Sequence, residues 1–355
     1  MSKKKKRKLK LKNIGLMFVF LCIIAYGSIS LIDYLNPYKE EVFLNKGYST
    51  SEVEFILSLD DIEKDKLIES EKVEYIIKQY TIEHYTELMN LGYLDDEITT
   101  ILGYNDELIT YITTHAKIEN LNEWINQSNF IQARFDRYLA YYSENTTLTF
   151  KNIIERVNTN RDHAYYTNVQ STDTSLNELL LVNKYYQLDQ SYVPDNLVSV
   201  SPYGSVRMVK VAAEAFIDLC DAAKDEGYTI IGISGYRSYS TQENLYNRYL
   251  KKDPQWLVDT YSARPGFSEH QSGLAIDVSS NNQDILTFEM SNSFKWMKDN
   301  AHLYGFILRY QKGKEDISGY KYEPWHYRYV GKEIAATLYS TGMTYDEYAA
   351  LYLIN

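Results

Sequence analysis

The sequence predicts an α+β catalytic domain built on a small antiparallel sheet, preceded by a membrane-spanning helix and an α-helical domain. Three observations carry this. Residues 206–250 run helix, strand, loop, helix, and further strands follow. Residues 273–278 alternate strictly between large apolar and small or acidic side chains. Residues from about 38 to 170 are polar, helical in period and poor in glycine.

The chain of 355 residues has room for an anchor and about two domains. It opens on a basic tail, residues 1–12, which holds eight of the 37 basic residues and none of the 48 acidic ones. The net charge is −11, so everything after residue 12 carries −19, with 29 basic residues against 48 acidic. Such a body repels a phosphate backbone, which excludes nucleic acid as a partner. Residues 13–33 follow as the anchor. Ile14 to Ile32 is 19 residues without a charge, long enough for one span. The basic tail should stay in the cytoplasm and send the remainder outside. A cleaved signal peptide ending at Ala25-Tyr26-Gly27 is the rival reading. Leu21 is too bulky for a lipoprotein signal at Cys22. Cys22 and Cys220 are the only cysteines, so no disulfide framework exists, as in a bacterium without an oxidising periplasm.

Residues 34–174 form the helical domain. Gly47-Tyr48-Ser49-Thr50-Ser51-Glu52 recurs as Gly92-Tyr93-Leu94-Asp95-Asp96-Glu97, and again, shortened, from Gly103-Tyr104-Asn105. Each copy reads as a helix start: a glycine turn, a capping side chain and an acid in the first turn. Stacked copies would make a spacer that lifts the next domain off the membrane, or a surface for cell wall or a partner. His84, His115 and His163 lack metal-ligand spacing.

The catalytic domain is expected over residues 175–341, with a C-terminal helix over 342–355. Leu180 to Tyr186 reads as a strand and Tyr192-Val193-Pro194 as an extended connection. Val206 to Lys224 is an amphipathic helix with Val209, Ala212, Ala213, Phe216, Ile217 and Cys220 on one face, closed by Gly227. The strand Thr229 to Ser234 empties into Gly235-Tyr236-Arg237-Ser238. A second helix starts after Ser240, with Glu243 completing a capping box. In Gly273 to Val278, Leu274, Ile276 and Val278 make a core face, while Gly273, Ala275 and Asp277 leave space above the strand. Phe306 to Tyr310 and Tyr327 to Val330 are the remaining strands.

Two carboxylates and two histidines flank this sheet. His270 stands at the entrance of one strand and Asp277 at its end. Glu323-Pro324-Trp325-His326 turns at Pro324 into another, which lets Glu323 and His326 converge. A hydrolytic zinc site needs three protein ligands, an open position and an unligated carboxylate near the water. His270, Asp277 and His326 supply the ligands, leaving Glu323 as the base.

At these residues the chain resembles the VanY-type D-alanyl-D-alanine carboxypeptidases, zinc peptidases that trim peptidoglycan stem peptides. The pattern Ser-x-His-x-x-Gly-x-Ala-x-Asp is met by Ser268, His270, Gly273, Ala275 and Asp277, and Glu-x-Trp-His by Glu323, Trp325 and His326. Gly235, Tyr236, Arg237, Ser238 and Gln242 match a third motif, and the likeness runs from about Val182 to Gly331. The resemblance implies the fold shared with the hedgehog signalling domain and one Zn²⁺ per chain. It implies Arg237 as the oxyanion's donor, and Ser268 and Gln242 as contacts to the terminal residue. The expected partner is a peptidoglycan stem peptide, met outside a bacterial, Gram-positive cell. An L,D-carboxypeptidase acting on the tetrapeptide stem uses the same apparatus. A dipeptidase or a non-catalytic wall-binding module are the other readings. Trp325 is a pocket wall or core, and His302 a structural histidine.

Overall fold

The computed structural model describes residues 39–59, 61–69, 84–280 and 285–354. The expected anchor and Cys22 lie outside the described residues. Among the described residues no helix is long and apolar enough to cross a membrane. The chain forms two compact units, Met1–Asn122 and Glu123–Asn355. Residues 123–174, expected in the helical domain, therefore share a unit with the catalytic residues, as does the C-terminal helix.

In the first unit the repeated motif is a helix start each time. Ser49 caps Thr50–Ser58 in a capping box with Glu52, and Asn105 caps Asp106–Thr113. In the middle copy Leu94 has no side-chain acceptor, and Glu97 takes up the Leu94 N–H at 2.8 Å instead. Gly47 and Gly92 take φ +86° and +92°, the left-handed turn that glycine allows. The tyrosine after each is buried, so these two copies share a turn and an anchor, whereas in the third Tyr104 is only half-buried.

The second unit opens with helices α1 (Phe135–Glu144) and α2 (Phe150–Asn158). Trp124, Phe135, Tyr138 and Phe150 form an aromatic cluster between them. Arg134 of the turn before α1 donates to the Ile354 carbonyl at 2.6 Å, tying this helical pair to the chain's last turn. Two short ladders follow: β1 (Gln170–Ser171) pairs in parallel with β2 (Tyr186–Gln187), and β3 (Leu197–Ser199) antiparallel with β4 (Arg207–Val209). The strand expected from Leu180 shrinks to β2. The Asn183 side chain accepts the N–H groups of Tyr185 and Tyr186 at 2.9 and 3.1 Å, turning the backbone away from a ladder.

Helix α3 (Lys210–Asp225) starts after β4, so Val206 to Val209, expected in its first turn, are connection and strand. Ala212, Ala213, Phe216 and Cys220 are buried as expected; Leu219 is buried with them, and Ile217 is only half-buried. Beyond it lie β5 (Ile231–Ser234) and α4 (Tyr239–Leu250). Ser238 caps α4 through the Thr241 N–H, so the expected Ser240–Glu243 capping box does not form. The Ser238 hydroxyl accepts the Thr241 N–H at 3.3 Å, and the helix begins at the next residue.

The sheet that positions the site is antiparallel, in the order β5, β6 (Ala275–Ser279), β8 (His326–Tyr329), β7 (Phe306–Leu308). Period two splits it into unlike faces. Ile276, Val278, Phe306, Tyr327 and Tyr329 join Phe216 and Leu219 of α3, and Phe294 and Met297 of α5 (Asn292–Asn300), in one apolar core. Asp277, His326 and Arg328 point from the opposite face. Helices α6 (Lys332–Thr341) and α7 (Tyr345–Tyr352) close the unit. Gly273, expected in the strand, instead ends the 3₁₀ turn Glu269–Ser272 at φ +71°, crowded by Leu197, Val209 and Pro194. Its smallness serves a left-handed turn, not an open pocket.

Candidate metal centre

Adjacent strands bring the ligands together. Asp277 on β6 is the register partner of His326 on β8. Their side chains share a face, with His326 Nδ1 3.0 Å from Asp277 Oδ1. His270 sits in the 3₁₀ turn before β6 and places Nε2 3.3 Å from Asp277 Oδ2. The three donor atoms lie within 4.8 Å of one another, the one such cluster among the described residues. All three residues are buried.

Each imidazole is held by its other nitrogen. His270 Nδ1 lies 2.8 Å from the Gly235 carbonyl, which can only accept, so Nδ1 carries the proton and Nε2 faces the cluster. Arg237 N–H returns a bond to the His270 carbonyl at 3.0 Å. The loop can come this close because residue 235 is glycine: a Cβ there would collide with the Arg207 carbonyl oxygen. His326 Nε2 lies 3.3 Å from Glu269 Oε2 and donates to it, leaving Nδ1 for the cluster.

Glu269 escaped the sequence reading. It is 1% exposed and lies against Arg309 and Arg328, whose Nε and Nη1 donate to Oε1 at 2.7 and 3.0 Å. Burial alone would raise its carboxyl, but the two guanidinium groups hold it well below the usual carboxylate range. The available signal was an arginine in each of two strands that otherwise read as buried, Arg309 after β7 and Arg328 in β8.

Glu323 occupies the start of a turn closed by the His326 N–H on its own carbonyl at 3.1 Å. Pro324 fixes this turn, which sets Glu323 Oε2 3.9 Å from His326 Nδ1. Burial pushes the Glu323 carboxyl up to about 8, against the pull of His326 and Arg237. A cation beside it would draw it down toward neutrality, where a general base works best. Arg237 points its Nη2 at the same cluster, 3.8 Å from Asp277 Oδ2.

Gln242 and Ser268 both border the cleft. Gln242 is 1% exposed and fully engaged: Oε1 accepts from Arg237 Nη1 at 2.6 Å, and Nε2 donates to the Ala263 carbonyl at 2.7 Å. It holds Arg237 in place. Ser268 is buried at the floor. Trp325 both lines the cleft and leans on the core. His302 stacks on Tyr339 at 3.7 Å, away from the cluster. His84, His115 and His163 lie beside Glu87, Tyr111 and Asp162 respectively.

The cleft over the cluster has a volume of about 530 Å³, walled by Ile233, Tyr249, Tyr261, Leu286 and Tyr322. The donor set fits Zn²⁺. Two imidazole nitrogens and a carboxylate oxygen are a usual catalytic zinc triad. One donor atom from each residue lies within 4.8 Å of the others, with His326 Nδ1 and His270 Nε2 approaching the two Asp277 oxygens at 3.0 and 3.3 Å.

Residues 205–332 match the family described as VanY, D-alanyl-D-alanine carboxypeptidase. The putative carboxypeptidase YodJ of Bacillus subtilis (strain 168) is 43% identical over 185 residues, covering 48% of this chain and 67% of that protein. The bifunctional D-Ala-D-Ala dipeptidase and D-Ala-D-Ala carboxypeptidase VanXYC of Enterococcus gallinarum is 34% identical over 180 residues, 49% of this chain and 94% of that one. Among solved structures, the LdcB LD-carboxypeptidase is similar with a TM-score of 0.50 and 39% identity, over 52% of this chain and 91% of that one. A vancomycin resistance D,D-pentapeptidase VanY, solved with Zn(II), aligns at 32% identity and a TM-score of 0.43, over 48% of this chain and 98% of its own.

Proposed function

The chain belongs to the VanY family of D-alanyl-D-alanine carboxypeptidases, and from that premise we propose that it removes the terminal D-alanine from peptidoglycan stem peptides at a zinc centre held outside the cell. The observation that carries this reading is the convergence of His270, Asp277, His326, Glu323 and Arg237 on one cleft. Bound Zn²⁺ supplies a Lewis acid that polarises the scissile carbonyl and acidifies a water.

The residues of the chain do the remainder. His270, Asp277 and His326 hold the ion, each imidazole locked in its working tautomer. Glu323 takes the water's proton and returns it to the leaving amine. Arg237, permanently charged and fixed by Gln242 and Ser234, donates to the oxyanion as charge develops. Ser268, which lines the cleft, contacts the substrate's terminal residue in this reading. The tyrosine-rich walls exclude water around a short peptide.

The basic tail and the span Ile14 to Ile32 support a single-pass anchor with the catalytic unit extracellular, and the first unit as its spacer. A second reading, an L,D-carboxypeptidase acting on tetrapeptide stems, draws on the 39% identity to the LdcB LD-carboxypeptidase. Incubating the protein with pentapeptide and tetrapeptide stems and weighing the products tests both. Loss of one alanine from the pentapeptide supports the D,D activity. Cleavage of the tetrapeptide alone replaces it with the L,D activity.

A further inference from the structure

The family match ends at residue 332, yet the buried charges behind His326 continue past it. Arg309 bonds Glu269 along one edge and turns its other edge to α7. There Nη1 and Nη2 donate to Oδ2 and Oδ1 of Asp346 at 2.6 and 3.1 Å. Asn183 donates Nδ2 to Asp346 Oδ1 at 2.8 Å, completing that carboxylate's shell. Arg309 and Asp346 are only 2% and 4% exposed. Tyr345 of α7 lies under both guanidinium groups, its centroid 5.7 Å from Arg309 and 5.2 Å from Arg328.

Buried ion pairs seldom stabilise a fold better than apolar side chains would. This one reaches a metal ligand. Arg309 Nε and Arg328 Nη1 both bond Glu269 Oε1, which leaves Oε2 to His326, while Asp346 holds the other two nitrogens of Arg309. If Asp346 were lost, Arg309 would be free to take both Glu269 oxygens in the bidentate geometry that guanidinium groups favour. Oε2 would then leave His326, and the proton that keeps Nδ1 facing the cluster would lose its acceptor.

We propose that Asp346 and Arg309 are positioning residues of the metal centre, so that α7, beyond the matched domain, sets the zinc affinity of His326. The proposal rests on His270, Asp277 and His326 being the zinc site. Removing an orienting partner of a metal ligand typically costs ten- to a hundredfold in affinity. The test uses the full chain. Zinc affinity is measured by competition with a chromophoric chelator, and the visible spectrum of the cobalt-substituted protein is recorded beside it. Asp346→Asn should weaken zinc binding by about tenfold or more and alter the cobalt spectrum, and Asp346→Glu should restore part of the loss. Arg309→Lys, which keeps the charge but loses the two-sided geometry, should act like Asp346→Asn and serves where that variant does not fold. Thr344→Ala, which removes the α7 cap, should lower the melting temperature and leave zinc affinity unchanged. The proposal falls if Asp346→Asn binds zinc as the wild type does with an unchanged spectrum, or if Thr344→Ala weakens zinc equally. A wild type that takes up no zinc would instead overturn the metal site itself, and this proposal with it.

Discussion

Gln242 accepts a hydrogen bond from Arg237 Nη1 at 2.6 Å while its own amide donates to the Ala263 carbonyl at 2.7 Å. The buried side chain thus pins the guanidinium that lies beside the ligands. Gln242→Leu keeps the volume and deletes both bonds. A hydrogen bond to a charged group is worth about 1.5–3 kcal/mol, so kcat should fall roughly ten- to a hundredfold. Zinc content should not change. Steady-state kinetics with metal analysis of the same sample checks this; an unaltered kcat would free Arg237 from dependence on Gln242.

His270 gives the cluster one of its two nitrogens. His270→Ala leaves an oxygen and a single imidazole, too few for a catalytic zinc site. The variant should be isolated with little metal, and a chelator should inactivate the wild type reversibly. Full zinc stoichiometry in His270→Ala would mean that the ligand set is wrong.

Lys184 makes the pH dependence of folding testable away from the metal. Its ammonium is enclosed by Tyr165, Tyr166 and Tyr320 and donates to the Asp259 carbonyl at 2.6 Å. Burial lowers it from 10.5 to about 8, only partly offset by Asp259. Between those values the folded chain has released a proton that the unfolded chain still binds, so this group's contribution to stability rises with pH from about 8. Tyrosines such as Tyr138, pushed up to about 12 by burial, act in the opposite sense, but only above their ordinary value near 10. Urea unfolding of the wild type at pH 7.5 and 9.5 should show a gain that Lys184→Met lacks. That variant should also be less stable by about 1–3 kcal/mol, since the Asp259 carbonyl loses its partner. Equal slopes in the two proteins would remove Lys184 as the cause.

The N-terminal segment predicts where the protein resides. If the uncharged span after the basic tail is the proposed anchor, the full chain should sediment with membranes and deleting residues 1–33 should release it. A mature protein that begins after Gly27 would favour the signal-peptide reading.

Much of the site was legible because its chemistry is local. The alternation of Leu274, Ile276 and Val278 marked the core face of β6, and Pro324 marked the turn that aims Glu323 and His326. The remainder depends on distant partners. Glu269 looks like an exposed acid beside a ligand until Arg309 and Arg328, 40 and 59 residues on, fold over it. Gln242 shows its hold on Arg237 only once the fold brings Arg237 and Ala263 to its amide. Asn183 breaks an apolar run that reads as a strand, because an amide bonding its own backbone outcompetes a ladder. Helices α1 and α2 read as spacer because nothing in their composition announces that they belong with the catalytic unit.

Glu323 carries the central claim, a carboxylate that works beside the metal without binding it. The most direct measurement is the release of D-alanine from a pentapeptide stem by zinc-loaded wild type and Glu323→Gln, with zinc counted in both. The account predicts one equivalent of zinc in each protein and a loss of turnover of about 10²–10⁴-fold in the variant. Undiminished release by Glu323→Gln, or release by a metal-free wild type, would contradict it.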